Sequence, residues 1–195
     1  MKKLLVTLTP SESKRLIAKG LLATSEIQDA LKEGYVCITM GTTSSYLAEE
    51  LLGEYDKSRH VAGIVIPRGV WVTDGSKRHT DAIFHKGKYL EKTKVMDVLD
   101  KLGPGDIIIK SANAIDINYT PIVLLASDTG GTVGTFLGSA AARNITVVTP
   151  VGLEKCIHSA YEDFAGQFGK EDWDYTIGVP VGAIAMPEAI VFTEV

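Results

Sequence analysis

Continuous apolar runs constrain this chain more than any other feature. VAGIVIP (61–67), DIIIKSAN (106–113) and ITVVTP (145–150) each hold an unbroken hydrophobic stretch where a half-exposed strand would alternate. A strand reads this way when both of its faces are covered, as in a parallel sheet packed between helices. PIVLLAS (121–127) is equally apolar and fits a strand or a loop, while YVCITM (35–40) and AIVFTEV (189–195) supply further strands. Between them lie segments of helical pattern. TPSESKRLIAKGLLA (9–23) opens on a Pro and Ser/Glu start signal, and SEIQDALKEG (25–34) runs from a Ser25 cap to a Gly34 stop. SYLAEELLG (45–53), KVMDVLDKLGPGD (94–106) and GGTVGTFLGSAAARN (130–144) follow, with a last helix expected around 152–159 and continuing towards 169. GVWVTDG and AIFHKGKYLE read as a small antiparallel excursion with His85–Gly87 near its tip. Alternation of this kind predicts an α/β fold: a mostly parallel sheet with helices on both faces, in one domain spanning 1–195.

Bulk properties narrow the function. The chain has 195 residues, enough to bury a core without disulfides or metal. Its net charge of −4 argues against general nucleic-acid binding, which calls for a strongly basic surface. No apolar stretch approaches the roughly 20 residues of a membrane span. MKKLLVTLTPSESK has too short an apolar run for a secretory signal and reads as a first strand or helix lead-in, so a cytoplasmic protein is expected. Cys37 and Cys156 belong to no Cys-x-x-Cys or His/Cys cluster, so neither a metal nor a cofactor is expected. Residues 67–94 carry seven Lys/Arg against three Asp/Glu, a local +4 that marks either a solvated hairpin or an anion's entry route.

In open α/β sheets, ligands gather where strands give way to helices. Three loops here share that grammar of apolar strand, small polar residues and helix. In the first, Gly41 permits close backbone approach, and Thr42, Thr43, Ser44 and Ser45 offer hydroxyls and helix N-terminal amides to an anion. The same residues also serve as an ordinary helix cap. In the second, Lys110, Asn113 and Asp116 follow a buried strand and suit a polyhydroxylated ligand, or form an Asx-type turn. In the third, Gly130, Gly131 and Thr132 open a helix whose Gly134 and Gly138 form a packing stripe, with Asp128 beside them to meet a hydroxyl or cap the helix. PVGLEKCIHS (150–159) places Glu154 and His158 on one helical face and gives Lys155 a route to a ligand anion.

Taken in order, MGTTSSYLAEELLG (40–53), SANAID (111–116) and SDTGGTVGTFLGSAAARN (127–144) resemble motifs of the superfamily of ribose-5-phosphate isomerases, glucosamine-6-phosphate deaminases and CoA transferases. Gly41, Thr42, Ser44 and Ser45 match the family's G-T-G-S-T phosphate loop in kind, and SANAID is similar to its G-A-D-E segment. The resemblance implies a Rossmann-like sheet, a phosphosugar, nucleotide or CoA-type ligand at the strand ends, and a homo-oligomer. The departures are chemical. Asn113 and Ala114 stand where the family has its acidic pair, and 132–138 holds no ionisable group where the isomerases keep a glutamate. An aldose–ketose reaction needs a positioned base. Asp116 and Asp128 are the catalytic candidates, with Glu154 and His158 behind them. Two functions remain: an isomerase- or transferase-like enzyme acting on a small anionic metabolite, or a non-catalytic binding module or assembly subunit.

Overall fold

The computed structural model describes residues 3–195; the first two residues of the expected lead-in lie outside it. Residues 3–9 form neither strand nor helix. The elements then run α1 (Pro10–Leu22), α2 (Ser25–Glu33), β1 (Tyr35–Ile38), α3 (Ser44–Leu52), β2 (Gly63–Ile66), β3 (Gly69–Val72), β4 (Ala82–His85), β5 (Lys88–Leu90) and a short α4 (Val95–Val98). They continue with β6 (Ile107–Ile109), β7 (Ala114–Ile115), β8 (Pro121–Leu125), α5 (Gly131–Arg143), β9 (Thr146–Pro150), β10 (Gly182–Ala185) and β11 (Ile190–Phe192). α1 begins where the sequence signals it: Thr9 and Glu12 form a reciprocal capping box and Pro10 opens the first turn.

The main sheet has six strands in the order β11-β9-β6-β1-β4-β5. β11, β9, β6 and β1 are mutually parallel, and β4 and β5 add an antiparallel hairpin beyond β1. The expectation of a mostly parallel, two-sided sheet holds. Alternate residues of each central strand enter different cores, as the period of two requires. Val36, Ile38, Ile107 and Ile109 pack with α1, α2 and α3, through Ala18, Leu21, Ile27 and Leu47. Cys37, Ile108 and Val147 face the other way, towards Val98 of α4 and Val133, Phe136 and Ala140 of α5. Burial raises the Cys37 thiol pKa well above its ordinary range, so it behaves as a small apolar side chain. The helix after β1 thus lies on one face, and the helix after β6 on the other. A crevice opens between the carboxyl ends of these two neighbouring strands.

Three expectations fail, and a fourth holds only in part. VAGIVIP is not a core strand. β2 pairs only with β3, in a two-stranded ribbon where Val65, Ile66, Trp71 and Val72 stay substantially exposed. The basic stretch 67–94 is therefore not one excursion: its first part is this ribbon, and β4 and β5 belong to the main sheet. KVMDVLDKLGPGD forms its helix in part: one α turn, Val95–Val98, tightens into a 3-10 turn at Leu99–Lys101 and stops just before Gly103. The helix expected at 152–159 is only a 3-10 turn, Leu153–Lys155, so Glu154 and His158 share no helix face. PIVLLAS is a strand, but of a separate sheet ordered β10-β8-β7.

Of the two glycines expected to form a stripe on α5, only Gly134 is forced. A Cβ there would lie 2.1 Å from the Thr129 carbonyl oxygen, whereas Gly138 faces open space. The ribbon is pinned from its other side by the late chain: Val70 bridges Gly178, and the Val179 amide donates to the Val70 carbonyl at 2.7 Å.

Candidate functional site

The crevice at the ends of β1 and β6 is a cleft of about 860 Å³. All three predicted loops reach it, through Gly41 and Thr42, through Lys110 and Asn113, and through Gly130, Gly131 and Thr132. The β2–β3 ribbon forms an apolar wall that includes Ile64 and Trp71. β9 delivers Glu154 and Lys155 to the same space.

The first loop is built by mutual latching. The Gly41 amide donates to the His60 carbonyl at 2.9 Å, and the Ser45 amide to the Gly41 carbonyl at 2.9 Å. Ser44 Oγ donates to the Thr39 carbonyl at 2.7 Å, while its amide donates to Ser111 Oγ at 3.0 Å. Ser45 Oγ donates to the Thr42 carbonyl at 2.9 Å. The serines expected to grip a ligand are thus spent on the loop itself. Ser44 and Thr43 are fully buried, and neither they nor Ser45 line the cleft. What the loop offers is backbone: among the described residues, the Thr42 amide has no acceptor. Gly131 and Thr132 at the start of α5 are in the same position, and Gly130 and Gly131 turn the chain there in the left-handed region, at φ 73° and 55°. The start of α5, with its partial positive charge, therefore opens on the same cleft as the Thr42 amide, while the first amides of α3 are taken up by Ser111 Oγ, the Gly41 carbonyl and the Thr43 carbonyl.

Charge reinforces this. Lys14, Arg78, Lys110 and Lys155 line the cleft, against Glu154 as the one carboxylate among the described residues. Burial pushes the Lys110 amine down to about 8, with Asp81 partly opposing. Burial also pushes Lys155 down to about 8, Lys14 and Lys110 adding to the effect and Glu154 opposing it. Lys155 Nζ donates to the Ala112 carbonyl at 2.7 Å and so ties the segment after β9 to the second loop. Asp81 lies behind the first loop and accepts from the amides of Met40 at 3.3 Å and Val95 at 2.9 Å; its burial raises its pKa. His60, held neutral by burial with its pKa pushed down to about 4, shares a 2.8 Å hydrogen bond between Nδ1 and the Tyr55 hydroxyl.

Asn113 lines the cleft while its Oδ1 accepts from the Leu124 amide at 3.0 Å. The two catalytic candidates stand elsewhere. Asp116 is buried outside the cleft lining, its Oδ1 accepting from the amides of Asn118 at 2.8 Å and Thr120 at 2.7 Å, its Oδ2 from that of Tyr161 at 2.9 Å. Burial alone would raise its pKa, but these N–H groups outweigh that and hold it below the usual value. It fastens a turn to a distant segment. Asp128 is exposed and paired with Lys170. His158 does not line the cleft either. Sequence reasoning missed Ser111, Arg78 and Lys14. Ser111 carried a weak signal as the first polar residue but one after a buried strand, and Arg78 belonged to the basic stretch 67–94 read as a solvated hairpin or an anion's entry route, whereas Lys14 carried none.

Fold and cleft together define an α/β protein with a cationic, amide-lined crevice at its strand ends. Comparison of the chain with family models, with curated proteins and with solved structures gives no significant match. Among the described residues, no helix is long and apolar enough to cross a membrane, and no group of His, Cys, Asp and Glu is arranged to hold a metal ion.

Proposed function

We propose that the protein binds a small anionic metabolite in this cleft, its anionic group meeting the Thr42 and Gly131 amides and the Lys110 and Lys155 ammonium groups. One observation carries the reading. Two half-buried lysines, neither with a carboxylate within ion-pair distance among the described residues, share a cleft with the N-terminus of α5 and the Thr42 amide. An anion would offset the cost of burying those charges. We further read the fold as Rossmann-like, with its ligand at the crevice where successive helices diverge to opposite faces. The apolar ribbon suits a ligand with a non-polar or planar part beside its charge, such as a nucleotide or a CoA-type thioester, and a phosphosugar fills the polar half alone.

A non-catalytic binding module is the second reading, and the positions of Asp116 and Asp128 favour it. Isomerase-like acid–base chemistry in this cleft would run through Glu154. Self-association, if the chain is a homo-oligomer, would use the exposed ribbon residues Val65, Ile66 and Val72.

The test is a thermal-shift titration with inorganic phosphate, sugar phosphates, nucleotides and CoA esters, because a ligand that binds only the native state raises its melting temperature. The expected result is a saturable rise with at least one of these anions, lost in Lys155→Met. Absence of a rise with every anion overturns the reading.

A further inference from the structure

Lys110 has nothing to do, unlike Lys155 and Arg78; Lys14 of α1 is also without a partner among the described residues, but of the two only Lys110 stands at a strand end. Lys155 is engaged by the Ala112 carbonyl, and Arg78 is tethered to Thr73 through its Nε at 2.7 Å. Among the described residues, Lys110 Nζ donates no hydrogen bond and has no carboxylate within ion-pair distance. Its backbone is fixed, since its amide donates to the Val148 carbonyl at 3.0 Å as an extension of β6. The amine therefore projects from a rigid strand end into the cleft. A surface lysine is a hydrated ammonium and a poor nucleophile. One that is desolvated beside another cation is the arrangement that turns an amine into a nucleophile towards carbonyl carbon.

We propose that Lys110 captures a small anionic carbonyl compound, an aldehyde or 2-oxo acid, as a Schiff base. This rests on the reading that the cleft holds an anion, and adds chemistry to it. The carboxylate or phosphate of the compound lies against Lys155 and the helix amides while its carbonyl carbon meets Lys110 Nζ. The neutral amine's lone pair forms the C–N bond, and the carbonyl oxygen takes up a proton to give a carbinolamine. Loss of water then leaves the C=N bond, so one carbonyl and one amine become one imine and one water, with no oxidant or reductant. Glu154 is the cleft carboxylate available to move the proton. The downward shift of the Lys110 pKa to about 8 agrees with this role. At pH 7 such an amine is neutral about two hundred times more often than a lysine near 10.4.

The experiment uses the intact chain at pH 7 with limiting pyruvate or glyoxylate and sodium cyanoborohydride, followed by peptide mapping. Reduction of the imine adds the mass of the oxo acid less one oxygen atom. The expected result is this increment on Lys110, about tenfold or more above any surface lysine such as Lys19 or Lys77, and its disappearance in Lys110→Arg. Mapping of the unaltered protein decides the matter even if that variant folds poorly. No increment with either compound, or an increment on Lys155 or on surface lysines with Lys110 unmodified, overturns the proposal. Parallel reactions with inorganic phosphate separate the two ideas. Labelling of Lys110 that phosphate does not slow leaves the imine standing and removes the anion site. A phosphate-induced melting shift without any labelling does the reverse.

Discussion

Gly41→Ala is the perturbation that most severely tests how the first loop is built. A Cβ at this position would lie 2.7 Å from Ser44 Oγ, 3.1 Å from Ser111 Oγ and 3.2 Å from Ser111 Cβ. Neither serine is free to withdraw. Ser44 Oγ is held by the Thr39 carbonyl at 2.7 Å, and Ser111 Oγ receives the Ser44 amide at 3.0 Å. Overpacking a rigid site costs about 1–3 kcal/mol. Displacing Ser44 adds about 1 kcal/mol for a lost hydrogen bond. The substitution should thus destabilise the protein by about 2–4 kcal/mol, read as a lower urea midpoint with an unchanged slope. Ser44→Ala removes the nearest obstacle along with its own hydrogen bond. In that background Gly41→Ala should cost at least about 1 kcal/mol less than it does alone. Additive costs, within about 0.5 kcal/mol, would show that the glycine is not required by close approach to Ser44.

Three further outcomes follow from particular groups. Asp116→Asn should cost about 1–3 kcal/mol at pH 7, since an amide nitrogen cannot accept the N–H groups the carboxylate holds. Because the folded carboxyl pKa is depressed, this stabilisation is present above about pH 4 and is lost as pH falls through the folded value; acid unfolding of the two proteins should converge there. Lys110→Met should stabilise the ligand-free protein at pH 7 by at most about 3 kcal/mol. The gap should close between about pH 8 and 10.4, because the unfolded state binds more protons in that window and the parent protein gains stability as pH rises. A gap that widens with pH would contradict the assignment. At Gly178, φ is +86° and a Cβ would stand 2.1 Å from the Val70 carbonyl oxygen. Gly178→Ala should therefore free the late chain from the ribbon and speed limited proteolysis near 170–180, with a loss of about 1–3 kcal/mol.

Much of the fold was legible because it is local. The Thr9 capping box, the Gly34 stop and the apolar cores of β6 and β9 each announce themselves within a few residues. The loops after β1 and β6 were legible as the lining of a cleft for the same reason, since a strand's carboxyl end is set by where its apolar run stops. Failures came where the meaning of a residue depends on a distant partner. VAGIVIP is apolar because Ile64 and Val65 line a cleft, not because a sheet covers both faces. Asp116 looks like a free acid until the Tyr161 amide, far along the chain, arrives on its second oxygen. Four hydroxyls in a row suggest a cradle, yet Ser44 and Ser45 turn inward and leave the cleft wall there to Gly41 and Thr42.

The central claim is that these amides and lysines bind an anion. Its most direct test is a titration of the isotopically labelled protein with inorganic phosphate, followed at each backbone amide by NMR. The account predicts saturable shifts of the Thr42, Gly131 and Thr132 amides with a common affinity, abolished in Lys155→Met. Unmoved resonances at those three amides, while exposed lysine-rich segments such as 86–94 respond, would contradict it.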